Sequence, residues 1–155
     1  MIKKLIKLLL IILWMGLIFS FSNDSGVVST KKSDGFIIRT VETILGRDLS
    51  DAEKEKWTTY LVVPVRKGAH VGVYFILGLL VVSFINEFYL FNYKTILIAG
   101  GVCLLYACSD ELHQLLVPGR SGQVKDVLLD FLGSLLAIIS YYFIGKRVCD
   151  KKWFF

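Results

Sequence analysis

Four apolar runs constrain this chain more than any other feature. They cover about residues 5–21, 68–85, 93–109 and 127–144. A helix needs about 20 apolar residues to cross a bilayer core, and each run with its flanks reaches that length. Inside hydrocarbon the backbone must satisfy its own hydrogen bonds, which an unbroken apolar run does as a helix. The expected fold is therefore all-α, an integral membrane bundle of four transmembrane helices. Composition agrees: 55% of the 155 residues are hydrophobic and the mean hydropathy is +0.63, more apolar than a soluble domain of this size. The first run follows Lys3 and Lys4, as a signal peptide would. No small-x-small cleavage site follows Phe21, so the run is read as a retained span.

Residues 22–67 are polar and mixed in charge, with eight basic and seven acidic side chains. They read as a partly helical loop. Phe36, Ile37, Val41, Ile44 and Leu45 recur at helical spacing and Gly46 stops them. Ser50 with Glu53 three residues on forms a capping box for a second helical piece. Trp57, Tyr60, Leu61 and Val62 give that piece an apolar edge. It fits either the headgroup layer or a solvated connector. Pro64 is expected to end it. Gly68 and Gly72 form a G-x-x-x-G pair that would admit a neighbouring helix. Glu87, Tyr89 and Tyr93 read as interfacial anchors between the second and third spans.

Four spans place both termini on one side. Lysines at the start and Lys146, Arg147, Lys151 and Lys152 at the end argue for cytoplasmic termini. Segments 22–67 and 110–126 would then share the outer face. The net charge of +5 suits contact with anionic lipid. No basic stripe with interleaved aromatics points to nucleic acid. Cys103, Cys108 and Cys149 lack CxxC spacing and read as packing residues.

Between the third and fourth runs, charge enters the membrane boundary: Asp110, Glu111, His113, Gln114, Arg120, Lys125, Asp126 and Asp130. Such groups are expensive there, so they pair, face a polar cavity, or act on something. If the third helix continues, Asp110, His113 and Gln114 share a face. Asp126 and Asp130 share one on the fourth helix. Asp130 lies a full turn inside its apolar run, so it needs a partner. Arg66, Lys67, His70, His113, Arg120 and Lys125 are the candidates. Pro118-Gly119 suits positions i+1 and i+2 of a type II turn, which would swing Arg120 back over the helix ends.

Three readings fit these residues. The charges can be buried pairs that set helix register. Arg66, Lys67, Arg120 and Lys125 can hold a phosphate headgroup, arginine being suited to bidentate contact. Asp110, Glu111, His113, Asp126 and Asp130, with His70, can serve an enzyme as general acid and base or as ligands of a divalent metal. No specific metal motif is present, since H-E-x-x-H geometry is lacking, and no Ser or Cys stands out as a nucleophile. Transport by alternating access finds no inverted repeat in four spans, unless copies oligomerise.

Together, Arg66-Lys67-Gly68-Ala69-His70, Tyr74-Phe75-x-Leu77-Gly78, Ser109-Asp110-Glu111-x-His113-Gln114, Pro118-Gly119-Arg120-Ser121-Gly122 and Asp126-Val127-x-x-Asp130-x-x-Gly133 resemble the VanZ-like membrane proteins. Ser20-Phe21-Ser22-Asn23 with Ser25-Gly26 resembles the family's segment after its first helix. The glycine-, serine- and lysine-bearing part of 24–62 adds little to the resemblance. The resemblance implies one small multi-span domain over 1–155 in a bacterial cell membrane. It also implies a link to glycopeptide resistance, the founding member being tied to low-level teicoplanin resistance. It supplies no mechanism. The expectation is a polar pocket at the outer membrane face that binds an anionic envelope lipid or lipid-linked cell-wall precursor. Arg66, Lys67 and Arg120 would contact phosphate. His70, Asp110, Glu111, His113, Gln114, Asp126 and Asp130 would line the pocket. A membrane-embedded hydrolase or transferase acting on a lipid phosphate is the alternative.

Overall fold

The computed structural model describes residues 1–89 and 92–152, with side chains described through Ile144. The basic tail (Lys146, Arg147, Lys151, Lys152) and Cys149 have side chains outside the described residues. Five helices and no strand are present among the described residues: α1 Ile2–Ser22, α2 Gly26–Leu45, α3 Asp51–Ile85, α4 Tyr93–Gln114 and α5 Val124–Lys152. Helices α1, α3, α4 and α5 are each long and apolar enough to cross a membrane. The all-α, four-span expectation is met. Leucines and isoleucines of α1, such as Leu5, Leu9 and Leu13, lie exposed, which suits lipid rather than water.

The segment between the first two spans is more helical than its polarity suggests. Helix α2 ends at Gly46, whose φ of 66° is the left-handed conformation glycine tolerates best. The capping box forms as expected: the Ser50 hydroxyl accepts from the Glu53 amide at 3.4 Å, and the Glu53 carboxylate accepts from the Ser50 amide at 3.0 Å. Ile37 and Leu49 are buried where α2 folds back along α3.

Pro64 does not end the helix. Helix α3 runs straight through it for 35 residues. Proline removes the N–H that would bond the Tyr60 carbonyl and crowds that carbonyl with its ring, and a helix supported by neighbours on both sides of that point tolerates both. At 1.5 Å per residue α3 is about 52 Å long, against a hydrocarbon core of about 30 Å. A core of that thickness would leave its N-terminal third, with α2 packed along it, beyond the span as a two-helix arm with Arg66 at the base.

The closest interface joins α3 to α5, and small residues make it: Gly133 and Ala137, whose spacing on the fourth span suits close packing, and on α3 Gly78 rather than the expected pair Gly68 and Gly72. A Cβ on Gly133 would lie 2.5 Å from the Val71 carbonyl oxygen, and one on Gly78 would lie 2.6 Å from that of Ser134. Gly68 and Gly72 have nothing within 4 Å of such an atom. The α3 face turned to α5 passes through Val71, Tyr74 and Gly78, one step round the helix from that pair. The Ser134 hydroxyl donates to the Tyr74 carbonyl at 3.1 Å across the same seam. Tyr74, Leu77, Val81, Ala99, Cys103, Ala107 and Ile138 form the core around it. Antiparallel α1 is tied to α3 by Lys7 Nζ donating to the Ser83 carbonyl and Trp14 Nε1 donating to the Val73 carbonyl. Lys3 and Lys7 also pair with Glu87.

Candidate functional site

Helix α4 does not stop where its apolar run meets Asp110; it continues to Gln114. Four residues on, the chain reverses at Pro118-Gly119. Gly119 has a φ of 73° and the Arg120 amide donates to the Val117 carbonyl at 3.1 Å, which is the type II turn. The Pro118 carbonyl accepts from the Gly26 amide at 3.1 Å, so the turn also seats the start of α2. Contact is backbone to backbone: a Cβ on Gly26 would fall 2.0 Å from the Gly119 oxygen.

The turn aims Arg120 back at the helix ends. Its Nε donates to the Asp24 carbonyl at 3.1 Å, Nη2 to the Phe21 carbonyl at 2.9 Å, and Nη1 to Gln114 Oε1 at 3.2 Å. All three acceptors are neutral, and two of the five guanidinium N–H groups remain. Burial, then the positive charge of nearby Arg66, lowers the Arg120 pKa from its ordinary value. Arg66 donates to the Ser29 hydroxyl on α2 at 3.1 Å.

The nearest acids are engaged elsewhere. Asp24 pairs with Lys32, Asp126 with Lys67 at 3.4 Å, and Asp130 with His70 at 3.2 Å. Among the described residues, neither Arg66 nor Arg120 has a carboxylate within ion-pair distance. Two guanidinium groups thus stand in one cleft without a direct ion pair, with Asp110 the nearest carboxylate lining it that has a free oxygen.

Both arginines, with His70, border two adjoining clefts of about 430 and 300 Å³. The larger is walled by Ile18 and Phe21 of α1, Phe36 of α2, and Val65 and Val73 of α3. Ser29, Ser33, Lys32, Tyr74 and Asp110 supply its polar atoms. The smaller is bordered by Lys67, Gln114, Gln123 and Asp126. Asp110 Oδ2 accepts from Gln114 Nε2 at 3.2 Å, while Oδ1 is buried with no partner. Asp130 is fully buried, with Oδ1 on His70 Nδ1 and Oδ2 unpartnered.

Seven of the ten singled-out residues therefore gather at one end of the bundle: Arg66, Lys67, His70, Asp110, Gln114, Arg120 and Asp126, with Asp130 behind His70. Glu111 and His113 border neither cleft. Glu111 Oε2 accepts from the Gln123 amide at 2.9 Å and so holds the chain entering α5. The His113 ring lies 4.4 Å from that of Phe19 on α1. Lys125 is exposed at the start of α5. Among the described residues no three His, Cys, Asp or Glu side chains come together as a metal site. Glu111 leaves Asp110 because a 100° step sends adjacent residues to different faces, while His113, only about 60° round from Asp110, packs its ring on Phe19 instead of entering a cleft.

The sequence model of the VanZ/LLP1 family matches residues 7–145. The chain belongs to the VanZ/LLP1 family. No curated protein and no solved structure matches it. Every residue bordering the two clefts lies within the part shared with the VanZ/LLP1 family.

Sequence reasoning missed the contribution of α2. Ser25, Ser29 and Ser33 recur every four residues, a polar stripe on one helix face, and two of them line the larger cleft. That spacing was the available signal. Tyr74, fully buried beneath the cleft with an unpartnered hydroxyl, was hidden inside an apolar run.

Proposed function

We propose that this protein binds an anionic lipid headgroup, with phosphate held by Arg66 and Arg120 and Lys67 at the rim. One observation carries the reading: two arginines share a cleft and neither has a carboxylate within ion-pair distance. An uncompensated charge at a membrane boundary is costly, and a bound anion removes that cost. The larger cleft suits a lipid rather than a free ion. Its charged end continues into a wall of Ile18, Phe21, Phe36, Val65 and Val73 that fits an acyl or polyprenyl chain. On this reading the cleft faces outward and both termini are cytoplasmic, in keeping with the basic flanks. An envelope lipid or lipid-linked cell-wall precursor would be the ligand. Membership of the VanZ/LLP1 family is consistent with a link to glycopeptide resistance, and glycopeptides act on that surface.

The test uses purified protein and phosphatidylcholine vesicles doped with phosphatidic acid, with inorganic phosphate as competitor. A charge-assisted contact is worth about 1.5–3 kcal/mol, so Arg66→Ala should weaken binding on the order of 10- to 100-fold. Arg66 gives up only its bond to Ser29 in the protein, so the variant should still insert and fold. Arg66→Ala with Arg120→Ala should abolish retention. Inserted, folded Arg66→Ala that binds as wild type does refutes the reading. Displacement by inorganic phosphate at the lipid's own concentration would mean that the chain contributes nothing.

A further inference from the structure

We infer that His70 is a phosphoryl acceptor and that the cleft removes the terminal phosphate from a phosphomonoester lipid. This rests on the headgroup reading above and adds turnover to it. The His70 ring is oriented by a side chain from another helix: Nδ1 lies 3.2 Å from Oδ1 of Asp130, which is fully buried on α5. A carboxylate accepting from Nδ1–H fixes the tautomer and leaves the lone pair on Nε2. Nε2 makes no hydrogen bond among the described residues, and His70 borders both clefts beside Arg66 and Arg120. A buried helix clamp needs neither an accessible ring nor two arginines without ion pairs next to it.

The two guanidinium groups match what phosphoryl transfer requires, which is positive charge around three equatorial oxygens. A pair of cations also favours the dianion of a monoester over the monoanion of a diester. In the first step the Nε2 lone pair forms an N–P bond and the P–O bond to the lipid breaks. The lipid alkoxide takes a proton from a water at the open mouth of the cleft and leaves as an alcohol, and hydroxide remains. The phosphoimidazole, its Nδ1–H still donating to Asp130, is then attacked at phosphorus by that hydroxide. The N–P bond breaks, its electrons return to Nε2, and hydrogen phosphate departs. The net change is one lipid phosphomonoester plus one water giving one lipid alcohol plus phosphate, with no redox partner.

The experiment incubates detergent-purified full-length protein with phosphatidic acid carrying radiolabelled phosphate. Phosphate release, label on the denatured protein, and lipid retention are read in parallel. Wild type should release phosphate and carry an acid-labile, alkali-stable label. His70→Asn should lose both, with turnover down on the order of a thousandfold or more. Asp130→Asn, a positioning change, should lower kcat on the order of 100-fold with KM little altered. Wild type that retains the lipid but releases no phosphate overturns this inference and leaves the headgroup reading standing. Release that His70→Asn matches also overturns it. Failure to retain the lipid at all removes both.

Discussion

Gly133→Ala tests the seam on which the site is built. The new methyl carbon would lie 2.5 Å from the Val71 carbonyl oxygen and 3.1 Å from its Cα. These are backbone atoms, so no rotamer change relieves the clash. Ordinary contact begins at 3.4 Å, so α3 and α5 must part by about 0.9 Å. Overpacking of this kind costs about 1–3 kcal/mol. Alanine returns about 0.5–1 kcal/mol of helix preference, leaving a net loss on the order of 1–2 kcal/mol. The effect reaches the site, because Val71 adjoins His70 and Gly133 lies one turn from Asp130. Opening the seam by that amount takes the 3.2 Å His70–Asp130 pair out of hydrogen-bond range. The assay is denaturant unfolding in mixed micelles, with imidazole nitrogen shifts of His70 reporting its tautomer. Gly72→Ala is the control: nothing lies within 4 Å there, so stability should hold or rise. If Gly133→Ala matches wild type in stability and His70 shift, or Gly72→Ala is as damaging, the seam is not backbone on backbone.

Ser50→Ala removes a cap at the far end of the arm and should cost about 1 kcal/mol, read as faster amide exchange in the first turn of α3 while the spans keep their protection. Glu87 is held down to about 2 by hydrogen bonds from Lys7 and then Lys3, against an ordinary value of 4.5. A depressed carboxylate stabilises the fold above its unfolded value and loses that contribution as pH falls from about 4.5 toward 2. Glu87→Gln should therefore melt below wild type near neutrality, with the difference vanishing across that window. A difference that persists at pH 2 refutes the assignment.

The spans were legible because hydrocarbon demands long apolar runs. The turn was legible because Pro118-Gly119 admits few backbone geometries. The Asp110–Gln114 contact and the need of Asp130 for a partner followed from helical register and from the cost of a bare buried carboxylate. Partner choice was less determined: six basic side chains were candidates for Asp130, and the packing and rotation of the helices, not the sequence, select His70. Rotation also decides which glycines meet a neighbour. Small-residue spacing is identical at any rotation, so it found Gly133 and Ala137 on α5 but pointed to Gly68 and Gly72 on α3, where Gly78 makes the approach. Pro64 misled for a related reason: local propensity ends a helix there, but α2 and the bundle support α3 on either side. Glu111 could have been set apart from Asp110 by adjacency alone. The part played by α2 lay in a serine spacing that carries little hydropathy signal.

The three neutral acceptors around Arg120 have a thermodynamic consequence. A free arginine side chain gives up about 2 kcal/mol of rotamer entropy when it is fixed. Here the Phe21 and Asp24 carbonyls and Gln114 immobilise the guanidinium as the chain folds. An anion bound there, as proposed, would find two N–H groups already oriented and would have no side chain left to order at that position. Lysine, a point charge with three donors, could not satisfy those three oxygens and still present a donor to the cleft.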